Sequence, residues 1–344
     1  MTDAVAAQPA AAAQPGAEPS ATAASGPLDV LVVGSVNLDT GFVLDRLPRD
    51  GETIESRDVR RSGGGKGANQ ALAAAQLGAR TALLAAVGSD ADTALADLVD
   101  AGVDLATLVR IPDALTGTAV LLVTPGDNAI VIAPGANALL SADHVRALDE
   151  PAAAAPRVVA LQHEVPDAVV EAAVDRWAGR SLVVLNPSPW RPVTAELLAR
   201  VDVLVVNQGE LGELLGAPGT VELADRAAVE AALATAELSS RAVVVTLGSD
   251  GVLLRAGGET VHLPAFEVDA VDTVGAGDAF LGVLAAGLAS ASAAPDRGAA
   301  SLDLAALTAA ARRATAAAAL AVTVRGARNP SLAPSAVDAL LSDV

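Results

Sequence analysis

The stretch LDVLVVGSVNLD, residues 28–39, runs from unbroken aliphatics into a glycine and then an amide and a carboxylate two positions apart. A continuous apolar run, rather than strict alternation, marks a strand covered on both faces, the environment of a parallel sheet between helical layers. The same pattern recurs in TALLAAVG (81–88), RVVALQ (157–162), SLVVLNP (181–187), VDVLVVN (201–207) and RAVVVTLG (241–248), with alanine-rich segments of helical length between them. The expectation is an α/β fold, a doubly wound and mostly parallel sheet with helices on both faces. Ligands of such sheets bind beyond the carboxyl ends of the strands, so the polar residues after each run are the candidates for function.

Two segments interrupt the pattern. Residues 38–61 and 115–133 are mixed and turn-rich, and LTGTAVLLVTPGDNAIVIAPG reads as a hairpin about PGDN. Together they predict a small antiparallel flap over the sheet edge, suited to excluding water or pairing subunits. Residues 1–28, rich in Ala and Pro and without a basic cluster or leucine-rich segment, read as a disordered tail rather than a signal peptide, which leaves 29–344 as the folded domain.

The composition narrows the function classes. With 41 acidic against 22 basic residues and a net charge of -19, the chain lacks the cationic excess of a nucleic-acid or anionic-membrane surface, while a local nucleotide site remains open. The absence of cysteine excludes disulfides, thiolate zinc sites and cysteine nucleophiles. His144, His163 and His262 have no spacing that forms a metal site, and no G-x-S-x-G appears. No segment has 18 uninterrupted strongly apolar residues, so the expectation is a soluble cytoplasmic protein.

At the strand ends, Asn37 and Asp39 in GSVNLD are spaced to bind adjacent hydroxyls or to form an Asx-stabilised turn. SGGGKGANQALAAAQLG, 62–78, brings glycine backbone close to a ligand and places Lys66, the chain's only lysine, and Asn69 about one turn apart on a helix. Gly67 stands where a Walker A loop has Ser or Thr, so this is a different loop. A compact ammonium where all other fixed cations are arginine points to a specific job, since helix electrostatics disfavour a cation there. Gln162, Glu164 and Asn186 end two further strands as ligand contacts or helix caps. Asn207 and Glu210 are spaced either for a hydrated magnesium ion or for a capping box. Thr246 and Gly248 precede a hairpin turn and are in position to lie along a nucleotide.

In DTVGAGDAFLGVLAAGL, 272–288, the glycines permit a tight turn into a helix whose free N–H groups at 275–278 form an anion-binding nest. Asp278 in that first turn is either a charge-complementing acid or a general base toward a hydroxyl attacking a phosphoryl group.

GGGKGANQA and DTVGAGDAF, in this order and separation, resemble the paired signatures of the ribokinase family of sugar and nucleoside kinases, the PfkB group, over residues 29–335. The resemblance implies a ribokinase-like fold with a small β-sheet lid and ATP as donor. The implied acceptor is D-ribose, phosphorylated on its 5-hydroxyl to ribose 5-phosphate. It implies Asp278 as base, Gly275, Ala276 and Gly277 as anion hole, and Asn37, Asp39, Gly65, Lys66, Asn69 and Glu164 as sugar contacts. Asn186, Asn207, Thr246, Gly248 and Gly277 would serve the nucleotide, and Glu210 magnesium indirectly. Asp272, Val274, Ala321, Val324 and Gly326 would hold potassium, and the lids would pair two subunits as a homodimer. Alternative acceptors are deoxyribose, fructose phosphate or adenosine, and a non-catalytic sugar-binding regulator is the reading from another class. Gln208 replaces a common second acid, His163 replaces an apolar residue, and GARNPS carries one residue more than the usual ending, leaving the last cation ligand unassigned.

Overall fold

Side chains of the first strand, β1 (Val30–Val33), alternate between two cores. Val30 and Val32 join one, Leu31 and Val33 the other, and all four are buried. Each buried aliphatic of this kind contributes about 1.5–3 kcal/mol relative to exposure. Coverage on both faces is the reason the run is continuous. The structure, a computed structural model, describes residues 28–125, 127–149, 155–216, 223, 225–292 and 302–342. All of the expected tail except Leu28 lies outside the described residues, as does position 126 of the expected PGDN turn.

From β1 the chain continues into β2 (Asn37–Val43), returns as β3 (Asp58–Gly64) and enters α1 (Lys66–Gln76). Then follow β4 (Thr81–Leu84), β5 (Ala86–Val87), α2 (Asp92–Asp100), β6 (Val109–Arg110) and the hairpin β7 (Gly117–Thr124) and β8 (Asp127–Ala133). A strand–helix alternation comes next: α3 (Ala142–Arg146), β9 (Val158–Gln162), α4 (Asp167–Trp177), β10 (Leu182–Asn186), α5 (Ala195–Leu198) and β11 (Val203–Asn207). After α6 (Gln208–Leu214), α7 (Arg226–Thr235) and β12 (Ala242–Thr246), an edge hairpin of β13 (Val252–Ala256) and β14 (Glu259–Leu263) precedes α8 (Ala276–Ser292), α9 (Leu304–Ala321) and α10 (Pro334–Ser342).

Among the described residues the main sheet has eight strands, ordered β14-β13-β12-β11-β10-β9-β1-β4. Neighbours from β4 to β12 are parallel, and β13 and β14 are antiparallel. The order reverses at β1, because the chain first moves outward to β4 and then crosses to β9 on the other side. That switch opens a crevice beyond the carboxyl ends of β1 and β9, the usual ligand site of an open α/β sheet. GSVNLD and LQHEVP meet there.

Two expectations are corrected. The flap is a four-stranded sheet ordered β3-β2-β7-β8, and although both its hairpins are antiparallel, β2 and β7 run parallel, with Asn37 beside Gly117. The long crossover between the hairpins, through α1 and α2, delivers the second in the same direction as the first. The run TALLAAVG is two strands. Gly34 N–H donates to Leu84 O where β1 ends, and Ala86 and Val87 then pair with Val109 and Arg110.

Close helix contacts account for the alanine-rich composition. α1, α8 and α9 share one core through Ala68, Ala71, Ala74, Ala285, Ala311 and Ala314. At the tightest point a Cβ on Gly282 would lie 2.3 Å from Gln70 O, so α8 is seated against the backbone of α1. This seat brings the first turn of α8 to Asn69 and Gln70. Among the described residues no helix is long and apolar enough to cross a membrane.

Candidate active site

Each glycine of the triplet before Lys66 answers to a different neighbour. A Cβ on Gly63 would lie 2.0 Å from Arg328 Nη1, and one on Gly64 would lie 2.0 Å from Asp39 Oδ2. Gly65 has φ 87° and would drive a Cβ to 2.8 Å from Asn37 N, so it needs both the left-handed conformation and the space. The triplet therefore lets an arginine, a carboxylate and the start of β2 crowd around one loop.

Helix α1 has no side-chain cap from Gly65 and no acid in its first turn. Glu164, just past β9, supplies the missing acceptor, since its Oε2 takes the Lys66 main-chain N–H at 2.9 Å and the Ser35 hydroxyl at 2.5 Å. The Lys66 ammonium lies 4.0 Å from Asp278 Oδ1. Asp278, with support from Glu164 and Glu210, holds its pKa above the ordinary lysine value against the opposing effect of burial. The lysine at an unfavourable helix start is thus a retained cation in an acidic pocket.

Asp278 is 6% exposed, and both its oxygens are engaged. Asn69 Nδ2 donates to Oδ2 and Gln70 Nε2 to Oδ1, each at 3.0 Å. Gln70 Oε1 accepts from Gln162 Nε2 at 2.7 Å, and Asn69 Oδ1 accepts from Arg328 Nε at 3.0 Å. The carboxylate oxygens accept from both amides, which orients Asn69 and Gln70 and, through Gln70, Gln162. Gln162 Oε1 is left buried without a partner.

At the neighbouring strand end, Asn37 is fixed by Asn137, whose Nδ2 donates to Asn37 Oδ1 at 2.8 Å and to Val36 O at 3.1 Å. Burial pushes the Asp39 carboxyl up from 3.8 to about 6, with the Arg328 guanidinium opposing the rise and Glu164 and Asp278 adding to it. Asp39 Oδ1 is buried without a hydrogen-bond partner. His163 is also buried, and that burial together with Arg191 lowers its pKa to about 4, leaving a neutral imidazole.

Beside the first turn of α8 lies a cleft of about 560 Å³ whose lining includes Thr246, Gly248, Phe266, Val268, Gly277 and Phe280. Gly275 has φ 81° and a Cβ there would lie 2.2 Å from Ala327 O, so the turn into the helix requires glycine. The nest is smaller than the sequence implies. Ala276 N–H already donates to Thr273 O at 3.4 Å, whereas among the described residues Gly275, Gly277 and Asp278 N–H have no backbone partner. Asn207 and Glu210 form a reciprocal capping box, Glu210 N to Asn207 Oδ1 at 2.8 Å and Asn207 N to Glu210 Oε2 at 2.9 Å. Asn186 Nδ2 donates to Val205 O at 2.9 Å, tying β10 to β11.

The geometry joins one buried carboxylate, Asp278, main-chain N–H groups at the start of α8 without backbone partners among the described residues, the Lys66 ammonium and a separate cleft. Residues 28–334 match the pfkB family of carbohydrate kinases. The chain is 32% identical to the ribokinase of Staphylococcus aureus (strain COL) over 258 residues, 74% of this chain and 84% of the relative. The chain belongs to the pfkB family. It is also 32% identical to the deoxyribokinase of Salmonella typhi over 263 residues, 75% of this chain and 85% of the relative. The structure of Arabidopsis thaliana ribokinase complexed with ribose and ATP superposes with a TM-score of 0.77 at 29% identity, covering 92% of this chain and 99% of that one. This pfkB member is an ATP-dependent sugar kinase.

In this kinase the residues that the resemblance assigns to a monovalent cation converge. Asp272 Oδ1 accepts from Val274 N–H at 3.0 Å and Oδ2 from Gly326 N–H at 2.9 Å, while Val322 O accepts from Val271 and Asp272. Ala321 O accepts from Val324 N–H at 3.4 Å, so these residues share one turn. The residues that sequence reading missed are Ser35, Gln70, Asn137 and Arg328. Gln70 was adjacent to a candidate and Arg328 stood in GARNPS, whose length the resemblance marks as irregular, but Asn137 carries no local signal.

Proposed function

We propose that the chain transfers the γ-phosphoryl group of ATP to the 5-hydroxyl of D-ribose, giving ribose 5-phosphate and ADP, with Asp278 as general base. The observation that carries this reading is Asp39 Oδ1, a buried carboxylate oxygen without a hydrogen-bond partner, on a carboxyl whose pKa the nearby Asp278 helps to raise. Such an oxygen accepts from a sugar hydroxyl through a charge-assisted bond, and an acceptor lacking that hydroxyl leaves it unpaired. Asn37, Gly65, Lys66, Asn69 and Glu164 complete the acceptor contacts. Asp278 orients the attacking hydroxyl and takes its proton, Lys66 faces the developing charge, and the unpaired N–H groups of Gly275, Gly277 and Asp278 receive the transferred phosphoryl oxygens. The adenine side of ATP fits the apolar cleft near Phe266 and Val268, with Asn186, Asn207, Thr246 and Gly248 along its ribose and phosphates.

Two ions fit the donor sets. Glu210 uses Oε2 in the capping box and retains Oε1 for water on magnesium, which when bound neutralises phosphate charge. Asp272 with the carbonyls of Val274, Ala321, Val324 and Gly326 is an all-oxygen set of low charge suited to potassium, which when bound shapes the α8 turn. Residues 29–344 form the kinase domain in this reading, with the small sheet as a lid. Homodimerisation through the lid is supported by Ile130, Val131 and Ile132, which are exposed on its edge strand β8. The setting is cytoplasmic, where ATP is available.

Deoxyribose is the second reading, favoured by the deoxyribokinase relative at equal identity. The test is kcat/KM of the purified protein with ATP for ribose, deoxyribose, fructose phosphates and adenosine, with and without potassium. Preference for ribose supports the proposal, preference for deoxyribose replaces it, and no transfer to any sugar overturns the catalytic reading.

A further inference from the structure

The segment RGARNPS, 325–331, follows α9, and the side chain of Arg328 within it is buried, 7% exposed. It reaches from the loop after α9 to α1, α2 and the glycine triplet. Nε donates to Asn69 Oδ1 at 3.0 Å, Nη2 to Gly64 O at 3.2 Å, and Nη1 to Ala94 O at 3.0 Å and to Asp97 Oδ2 at 3.4 Å. Four of its five N–H groups therefore hold the guanidinium to acceptors on α1, α2 and the glycine triplet. A lysine has no fork with which to meet three elements at once.

Two functional groups depend on this placement. Taking Asn69 Oδ1 forces the amide nitrogen toward Asp278, where it donates at 3.0 Å. Gly64 lies against both side chains, its carbonyl accepting from Arg328 and its side packed so close to Asp39 that an added Cβ would lie 2.0 Å from Oδ2. The other charges acting on Asp39 are Glu164 after β9 and Asp278 on α8, both negative. Asp97 on α2 pairs with Arg328 itself, and Lys66 is directed at Asp278. Arg328 is therefore the cation whose charge opposes the rise at Asp39, and Gly64, against which both are packed, brings the two side chains to one loop.

We propose that Arg328 is a positioning residue of the acceptor pocket, locking the Asn69 amide onto the base and supplying the counter-charge that keeps Asp39 ready for acceptor hydroxyls. The proposal rests on the sugar-kinase reading of Asp39 and Asp278. It deepens that reading by making acceptor binding depend on a side chain carried by the loop after α9.

The experiment compares full-length wild type with Arg328→Met and Arg328→Lys. It measures D-ribose binding by calorimetry without nucleotide, kcat and both KM values, and the Asp39 carboxyl titration by carbon NMR. In Arg328→Met, ribose KM and Kd rise about tenfold or more, the effect of losing roughly one charge-assisted interaction, while the KM for ATP stays nearly constant. Asp39 in that variant titrates above its wild-type midpoint, so ribose affinity fails at a higher pH. Arg328→Lys restores the titration but not kcat, because charge returns without the fork that orients Asn69. Wild-type ribose affinity and an unmoved Asp39 titration in Arg328→Met overturn the proposal. So does an equal loss of ribose and ATP affinity in both variants with lowered melting temperature, which assigns Arg328 to the scaffold alone. Failure of the sugar reading looks different. Wild type then phosphorylates neither ribose nor deoxyribose, while the Asp39 titration, which needs no acceptor, still decides the role of Arg328.

Discussion

Glu164 Oε2 accepts the main-chain N–H of Lys66 at 2.9 Å, joining the loop after β9 to the first residue of α1 across 98 positions of sequence. The helix start has no cap of its own, so a residue assigned to sugar binding also terminates the helix on which Lys66 and Asn69 ride. Glu164→Ala is expected to lower stability by about 1 kcal/mol, the usual worth of a cap, and to raise the acceptor KM. Glu164→Gln keeps an acceptor oxygen and restores most of the stability while the KM stays high. Denaturant midpoints alongside acceptor KM check this, and an unchanged KM in both variants would confine Glu164 to capping.

Asp278→Asn tests the base and the amide chain together. Loss of the general base is expected to lower kcat by about 10²–10⁴-fold with acceptor binding retained. The new amide nitrogen faces a donor, Gln70 Nε2 or Asn69 Nδ2, which looks destabilising. Gln70 can turn its oxygen toward the variant and Gln162 can turn in response, exchanging the orphan Gln162 Oε1 for an orphan nitrogen. One unsatisfied atom replaces another, so stability is expected to change by less than about 1 kcal/mol. Calorimetric ribose binding and thermal melting of the variant check both halves.

The strand runs and the crevice at their carboxyl ends were legible because continuous apolar runs and strand-end glycines act locally. The parallel β2–β7 pairing was not, since its direction is set by a crossover through two helices. The Asn207–Glu210 spacing admitted two chemistries, and only the reciprocal side chain–backbone bonds show the capping box. Asn137 lay furthest out of reach. Its Oδ1 takes Val36 N–H at 3.0 Å and its Nδ2 gives to Val36 O, so it pairs with the backbone beyond β1 from 101 residues away. Nothing in GANAL marks that role. Arg328 was visible only as an irregular length, because its partners come from α1, α2 and the glycine loop.

The raised pKa of Asp39 gives a pH prediction with a definite sign. Its carboxyl moves from 3.8 to about 6, so the ionised form is disfavoured in the folded state. The resulting penalty is present above pH 6 and is relieved as pH falls through the folded value toward the unfolded one. Asp39→Asn is therefore expected to stabilise the protein at pH 8 by on the order of 2 kcal/mol, with the gain vanishing near pH 4. If Asp39 accepts from ribose as proposed, ribose affinity of wild type is expected to fall below about pH 6 as the acceptor oxygen is protonated, and the variant to bind weakly throughout. Melting curves at pH 8, 6 and 4 decide the matter, and a variant less stable than wild type at pH 8 would refute the penalty.

Gly282 offers a way to displace Asp278, the proposed base, without touching it. A Cβ there would lie 2.3 Å from Gln70 O and 2.8 Å from Ala73 Cβ, and because the nearer atom is backbone the two helices must separate. Alanine gains up to about 1 kcal/mol in helix propensity, but overpacking costs about 1–3 kcal/mol, so the overpacking prevails. Separation of α1 from α8 stretches the 3.0 Å bonds from Asn69 and Gln70 to Asp278. Gly282→Ala is expected to lower both melting temperature and kcat, leaving the KM for ATP little changed. Gly287→Ala is the control, since its Cβ would lie 2.9 Å from Ala310 Cβ at the contact with α9, more than two turns along α8 from Asp278. It loses stability while keeping kcat. Equal kcat losses in the two variants would mean that general loosening, rather than the seat of α8 on α1, sets the geometry of the base.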